Sequence, residues 1–385
     1  MDNHVIIGID ARFAIHQRRG IGNYVYHLLR YLAKLDQTNQ YILYTDREDS
    51  EGVLPNQDNF QVKQLRPSNY FLWEQIALPE QARRDRVNIL HCTGNTAPRW
   101  IPRKTKLIVT IHDVMYLSRN NNAEVSRSFY QRLGRLYRRI VVPSIVNTIS
   151  KVITVSNFSK QDILNALPQI PEEHITVIHE AANEIFERIP SEKVRNTLSD
   201  LGLVDDYILT LGGLDPRKNT ELVIKAFLDL RKKQQISSKL VVVGIPNWHD
   251  TSFNKIVLES SYHSDVIFTE FLSEEDLVAL YNGCKVFLYP SLYEGFGMPP
   301  LEAMSCGVPV ITSQVTSIPE IVGDAARLID PMSIEQLKNE IMAINSDEDL
   351  RQALVQRGLE QIKKFSWERM ALDTFTLYQN LAGKA

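Results

Sequence analysis

Short apolar runs alternate with longer stretches of helical spacing along most of the chain. Residues 4–10, 41–45, 88–92, 106–112, 151–156 and 175–179 read as strands, and so do 207–211, 239–244, 265–270, 285–289 and 308–312. These runs are rich in Val, Ile and Leu with little period-two alternation, the pattern of strands covered on both faces. Helix-like segments separate most of them, which predicts largely parallel sheets with right-handed crossovers and ligands at the carboxyl ends of the strands. Across 181–206 the periodicity weakens and charges accumulate, so a linker is placed there, dividing the chain into 1–185 and 186–365. A length of 385 residues is in any case long for a single core.

Composition narrows the class. With 23% charged and 44% hydrophobic residues the chain reads as a soluble globular protein, and a net charge of −3 argues against a general nucleic-acid binder. Cys92, Cys284 and Cys306 form no C-x-x-C pair, which suits a reducing cytoplasm better than a disulfide framework. The opening MDNHVIIGID has no basic n-region, and no stretch reaches the roughly 20 apolar residues of a membrane span. One segment, 125–142, is amphipathic at helical spacing. Its expected faces are Arg127, Arg132, Arg135, Arg138 and Arg139 on one side and Phe129, Leu133, Leu136, Tyr137 and Ile140 on the other. Such a surface is either a solvated face over a core or a peripheral contact for anionic lipid.

The candidate chemistry centres on KVFLYPSLYEGFGMPPLEAMSCGVPVI, residues 285–311. A buried strand runs into a loop in which Gly295 and Gly297 permit unusual backbone angles. Pro299 and Pro300 then open a short helix over 301–306, and Gly307 ends it. A strand, a loop and a helix N-terminus make an anion site. Glu294 and Glu302 frame it without a basic neighbour in sequence, so they suit sugar hydroxyls, to which an ionised carboxylate makes charge-assisted hydrogen bonds. Farther back, LGGLDPRKN puts Arg217 and Lys218 at the start of a helix, where cations oppose the dipole and an anion is expected.

Glu294 and Glu302, with seven residues between them in EGFGMPPLE, resemble the E-x7-E signature of the retaining family 4 glycosyltransferases, also called group 1. The resemblance extends over nearly the whole chain. It implies a GT-B fold, an α/β architecture of two Rossmann-like domains facing across a cleft, with the first binding the acceptor and the second the nucleotide sugar. The FSWERMALDTFTLYQNL segment resembles the terminal helix, 366–385, that crosses back onto the first domain. It also implies that Glu294 and the amides of Gly295, Phe296, Gly297 and Met298 hold the donor sugar, and that Glu302, beside Leu301, holds the ribose. Arg217 and Lys218 would grip the diphosphate, with Gly213 allowing close approach, and Phe271 and Leu272 would hold the base. Gly20 and Gly22, in RRGIGNY, would reach the distal phosphate; they do not complete a dinucleotide fingerprint. His112, in an HD pair with Asp113, would face the donor sugar and acceptor, and Ser156 would lie near the sugar or cap a helix.

The implied function is hexosyl transfer from a nucleotide-diphosphate sugar to a glycan or lipid-linked glycan with retention, UDP-glucose being placed ahead of GDP-mannose. No resident cofactor is expected. No metal is expected either, because Asp347-Glu348-Asp349 reads as a solvated helix start, and Arg217, Lys218 and helix dipoles can stabilise the leaving diphosphate. A UDP-sugar 2-epimerase and a nonenzymatic nucleotide-sugar binder are the competing classes.

Overall fold

The structure is a computed structural model and describes residues 4–16, 20–117, 129–203 and 206–383. The chain divides into two compact units. Unit 1 holds residues 1–180 and 366–385, and unit 2 holds 181–365.

Unit 1 contains a seven-stranded parallel sheet in the order β3-β2-β1-β4-β5-β6-β7. The strands are β1 (Ile6–Asp10), β2 (Gln40–Thr45), β3 (Phe60–Gln64), β4 (Ile89–Cys92), β5 (Lys106–Thr110), β6 (Ile149–Thr154) and β7 (Ile175–Val177). Central strands such as β4 are buried at every residue, which is why they read as unbroken apolar runs. At the edge, β3 buries only Phe60 fully, and its polar FQVKQ sequence gave no strand signal.

Unit 2 contains a six-stranded parallel sheet, β10-β9-β8-β11-β12-β13. Here the strands are β8 (Tyr207–Leu211), β9 (Lys239–Val243), β10 (Val266–Thr269), β11 (Val286–Tyr289), β12 (Val310–Ser313) and β13 (Arg327–Ile329). In each sheet the winding reverses beside the first strand, at β1/β4 and at β8/β11. Crevices at such switch points are where open α/β sheets hold ligands.

Two features differ from the sequence reading, and the placement of the terminal helix agrees with it. The segment taken as a linker holds a helix, Ser191–Asp200, whose Val194 and Leu198 are buried in unit 2. The Arg-rich helix runs Phe129–Ile145 and does not sort into a basic and an apolar face. Arg132 and Arg139 share the exposed side with Leu136 and Ile140, while Val141, Val142 and Ile145 supply the buried side. Tyr137 donates to buried Glu74 at 2.6 Å. Arg138 approaches the Tyr116 ring at 5.5 Å, so packing follows the nearest partners rather than residue class. Arg127 and the side chain of Phe129 lie outside the described residues. The helix Trp367–Ala382 packs within unit 1, with Trp367 stacked on His27 and the Tyr378 hydroxyl 2.6 Å from His91 Nδ1.

Candidate active site

In unit 2 the two glycine-bearing motifs meet at the carboxyl ends of β8 and β11, which are hydrogen-bonded neighbours. After β8, Gly212 and Gly213 lead into a short turn, Pro216–Lys218, capped by Asp215, whose carboxylate accepts from the Arg217 amide at 3.1 Å. Arg217 then lies bidentate on Asp215, with Nη2 at 2.7 Å and Nε at 3.0 Å. The guanidinium is thus aimed by the residue two positions earlier, a partner the sequence reading did not single out. Gly213 makes room for an internal group: a Cβ there would sit 3.2 Å from Lys218 Cγ.

Lys218 crosses to the second motif. Its ammonium donates to the Tyr289 hydroxyl at the end of β11 and lies 3.1 Å from Glu294 Oε1. Tyr289 in turn donates to the same Oε1 at 2.7 Å, and Ser291 Oγ lies 2.7 Å from it. The basic neighbour missing beside Glu294 in sequence therefore comes from 76 residues away. All three contacts converge on Oε1, which leaves Oε2 able to accept from a ligand hydroxyl. Burial opposes the Glu294 carboxylate, but Lys218 and the two hydroxyls outweigh it and hold its pKa below the ordinary range. Burial likewise opposes the Lys218 ammonium, and Tyr289 and Glu294 outweigh it and raise its pKa.

Backbone contacts lock the motifs together. The Leu292 amide donates to the Arg217 carbonyl at 2.8 Å. Asn219, left-handed at φ 56°, sends its amide nitrogen to the carbonyls of Pro290 and Pro331 at 3.0 and 2.7 Å. Ser317 Oγ reaches the carbonyls of Glu294 and Phe296, fixing the loop from below.

The loop ends at Gly297, φ 110°, the N-cap of the helix Met298–Ser305. Gly295 is not in the left-handed region, so only Gly297 uses the freedom expected of both. A Cβ at Gly297 would lie 2.6 Å from Ile318 Cδ1. Pro299 and Pro300 occupy the first turn at no hydrogen-bonding cost, since amides there have no intrahelical acceptor. The helix starts three residues earlier than expected, which moves Glu302 out of the first turn, where the dipole effect fades. Burial, then the nearby Glu274 charge, push the Glu302 carboxyl up to about 7, while the Tyr281 hydroxyl at 3.4 Å offsets this only partly. The two carboxylates expected to be alike differ: Glu294 is held ionised, and Glu302 titrates near neutrality. Leu301 is buried. Phe271 and Leu272 follow β10, Phe271 being 58% exposed and facing Gly244 beyond β9.

In unit 1 the predicted residues also lie along a carboxyl edge. Gly20 and Gly22 stand in the first turn of the helix Gly20–Leu35. His112 follows β5, with Nε2 3.1 Å from the Thr93 carbonyl and Nδ1 3.1 Å from Glu180 Oε1. Both ring nitrogens thus face acceptors, an arrangement that only the doubly protonated ring satisfies. Burial works against that cation, but Glu180 outweighs it, and the pKa is raised. His112 is therefore tied within its own unit rather than aimed into open space. Tyr24 packs edge-on against its ring at 4.9 Å. Asp113 accepts from the Met115 amide at 3.1 Å, a structural turn. Ser156 caps the helix Asn157–Ala166, accepting from the Ser159 amide at 3.0 Å. Sequence reading also passed over Arg12. It is buried at the end of β1, bidentate on Asp10 and 3.7 Å over the Trp73 ring.

Among the described residues no group of three or more His, Cys, Asp or Glu converges as a metal site, and Asp347 caps the helix Glu348–Gln361. No helix among them is long and apolar enough to cross a membrane.

Residues 18–183 match the family model described as Glycosyltransferase Family 4, and residues 200–361 match that of glycosyl transferases group 1. The chain belongs to the family 4, group 1 glycosyltransferases. Its two-sheet architecture is the GT-B fold. A sucrose-phosphate synthase from Thermosynechococcus elongatus superposes with a TM-score of 0.75 over 99% of this chain and 100% of that one, at 20% identity. In sequence, the chain is 33% identical over 230 residues to the O-antigen chain mannosyltransferase B of Escherichia coli, a match covering 60% of each chain. It is 35% identical over 234 residues, 58% of this chain, to the serotype-specific mannosyltransferase WbdA of Escherichia coli. The chain thus spans 60% of the first relative's length and 28% of the second's.

Proposed function

We propose that this family 4 chain transfers a mannosyl residue from GDP-mannose to a glycan or lipid-linked glycan, with retention and without a metal. Mannose replaces the glucose expected from sequence because the similar curated proteins are named mannosyltransferases. The observation that carries the reading is the joining of Lys218 to Glu294 through Tyr289. It sets a cation for a departing diphosphate beside a carboxylate whose second oxygen can take a sugar hydroxyl.

In the proposed step the bond from the anomeric carbon to the diphosphate oxygen breaks as the acceptor oxygen bonds to that carbon on the same face. The acceptor's proton passes to the departing phosphate oxygen. Lys218 and Arg217, held on Asp215, stabilise the charge on the leaving group, as fixed donors do better than water. Glu294 holds the sugar. Glu302 accepts from the ribose diol, best when ionised. His112, tied to Glu180 and Thr93, positions the edge of unit 1 on which the acceptor is placed.

A donor panel tests this. With GDP-mannose, UDP-glucose and UDP-galactose supplied at equal concentration with a mannosidic acceptor and EDTA, turnover is expected from GDP-mannose with an α-linked product. Turnover from a UDP-sugar alone, or only with added magnesium, overturns the donor or the metal-free reading respectively.

A further inference from the structure

Unit 1 carries a polar hollow of about 400 Å³ that the proposed reaction leaves unused. It lies off the carboxyl ends of β2 and β3, lined by Asp46, Arg47 and Glu48 from one strand exit and Gln64, Arg66 and Ser68 from the other. Among the described residues no apolar side chain lines it, so an apolar ligand gains little there. Among the described residues two carboxylates balance two guanidiniums, and their net charge selects neither an anion nor a cation. The lining suits a neutral ligand that donates and accepts at many points, and sugar hydroxyls do both.

The state of these side chains adds a second observation. Asp46 is a fixed wall, its carboxylate 2.8 Å from His16 Nε2 and only 14% exposed. Among the described residues, Glu48, Gln64, Arg66 and Ser68 make no side-chain hydrogen bond or ion pair. All four are exposed, so only water competes with a ligand for their donors and acceptors, whereas Glu294 and His112 are each held by several protein partners.

Strand order then decides which sugar the hollow suits. His112 follows β5, and β2 lies three strands away in the order β2-β1-β4-β5. At about 4.8 Å per strand that is about 14 Å, too far for the sugar that receives the new bond if His112 marks the reacting end.

We propose that the hollow between the exits of β2 and β3 is a subsite for an interior sugar of a neutral glycan acceptor. This rests on the glycosyl transfer proposed above and gives that reaction a preference for acceptor length. The test compares α-mannotetraose with methyl α-mannoside as acceptors for the full chain, with GDP-mannose as donor. In the wild type the tetraose is expected to have at least about a tenfold higher kcat/KM. Gln64→Ala and Ser68→Trp, the second filling the hollow, are expected to bring that ratio close to one with the thermal midpoint unchanged. A wild-type ratio near one, or variants that keep the wild-type ratio, overturns the subsite. If neither acceptor is mannosylated, the transfer reading fails, and calorimetric titration of α-mannotetraose still decides the hollow. Binding lost in Ser68→Trp supports it, and no binding to the wild type overturns it.

Discussion

Lys218 Nζ lies 3.1 Å from Glu294 Oε1, and the Tyr289 hydroxyl joins them by accepting from the one and donating to the other. Two segments 76 residues apart thus share one charge pair, in which each charge helps to hold the other ionised against burial. Lys218→Met removes the cation that keeps Glu294 ionised. Turnover is expected to fall about 10²–10³-fold, the size of losing one stabilising donor. The acid limb of the pH–rate profile should move to higher pH as the Glu294 pKa returns upward. A lower thermal midpoint with an unmoved acid limb would reduce the pair to a structural tie.

Glu302 titrates at about 7 in the folded chain against 4.5 for the unfolded one. The folded state therefore binds the extra proton, so stability is greatest below about pH 4.5 and declines as pH rises through 7. Glu302→Gln removes this decline. At pH 8 the variant should be more stable than the wild type by up to about 3 kcal/mol, at about 1.4 kcal/mol per pKa unit, measured by urea denaturation. Under the proposed ribose role, the wild type is expected to gain GDP affinity between pH 6 and 8 and the variant to lose that gain, read by calorimetry.

His112 carries a raised pKa through Glu180. Its contribution to stability is complete below about pH 6.5, the unfolded value, and is lost as pH rises through the folded one. The thermal midpoint of the wild type should fall more steeply above neutrality than that of His112→Phe. Parallel curves would mean that the ring is held neutral.

Gly297→Ala forces a side chain onto a backbone at φ 110° and a Cβ to within 2.6 Å of Ile318 Cδ1. The cost should be about 1–3 kcal/mol, as for other residues held in sparsely populated regions. Adding Ile318→Ala relieves the clash but not the dihedral, so denaturation should show little of that cost recovered once the Ile318→Ala loss is subtracted. Full recovery would assign the cost to packing alone.

Much of the candidate site in unit 2 was legible in the chain because its residues lie in two contiguous motifs with glycines and prolines at telling positions. The pairing of those motifs was not, since Lys218 and Glu294 meet only when β8 and β11 become neighbours. Asp215 is adjacent to the cations it aims, yet an aspartate before a Pro reads equally well as a turn. The strand β3 escaped notice because an exposed edge needs no apolar run, and with it went the polar hollow at its exit. Helix 129–145 failed for another reason. Spacing alone cannot tell which face a neighbour covers, and Tyr137 is drawn inward by Glu74 while Leu136 and Ile140 are left outside.

The Tyr378–His91 hydrogen bond and the Trp367–His27 stack join residues from opposite sides of unit 2 in the sequence. On the ribosome, the sheet of unit 1 emerges first but lacks its covering helix until all of unit 2 has been synthesised. At about 5–20 residues per second that delay lasts roughly ten seconds or more. Through that interval His27 and His91 lack the ring and hydroxyl that later meet them, and the first half cannot reach its final packing before the last residues are made.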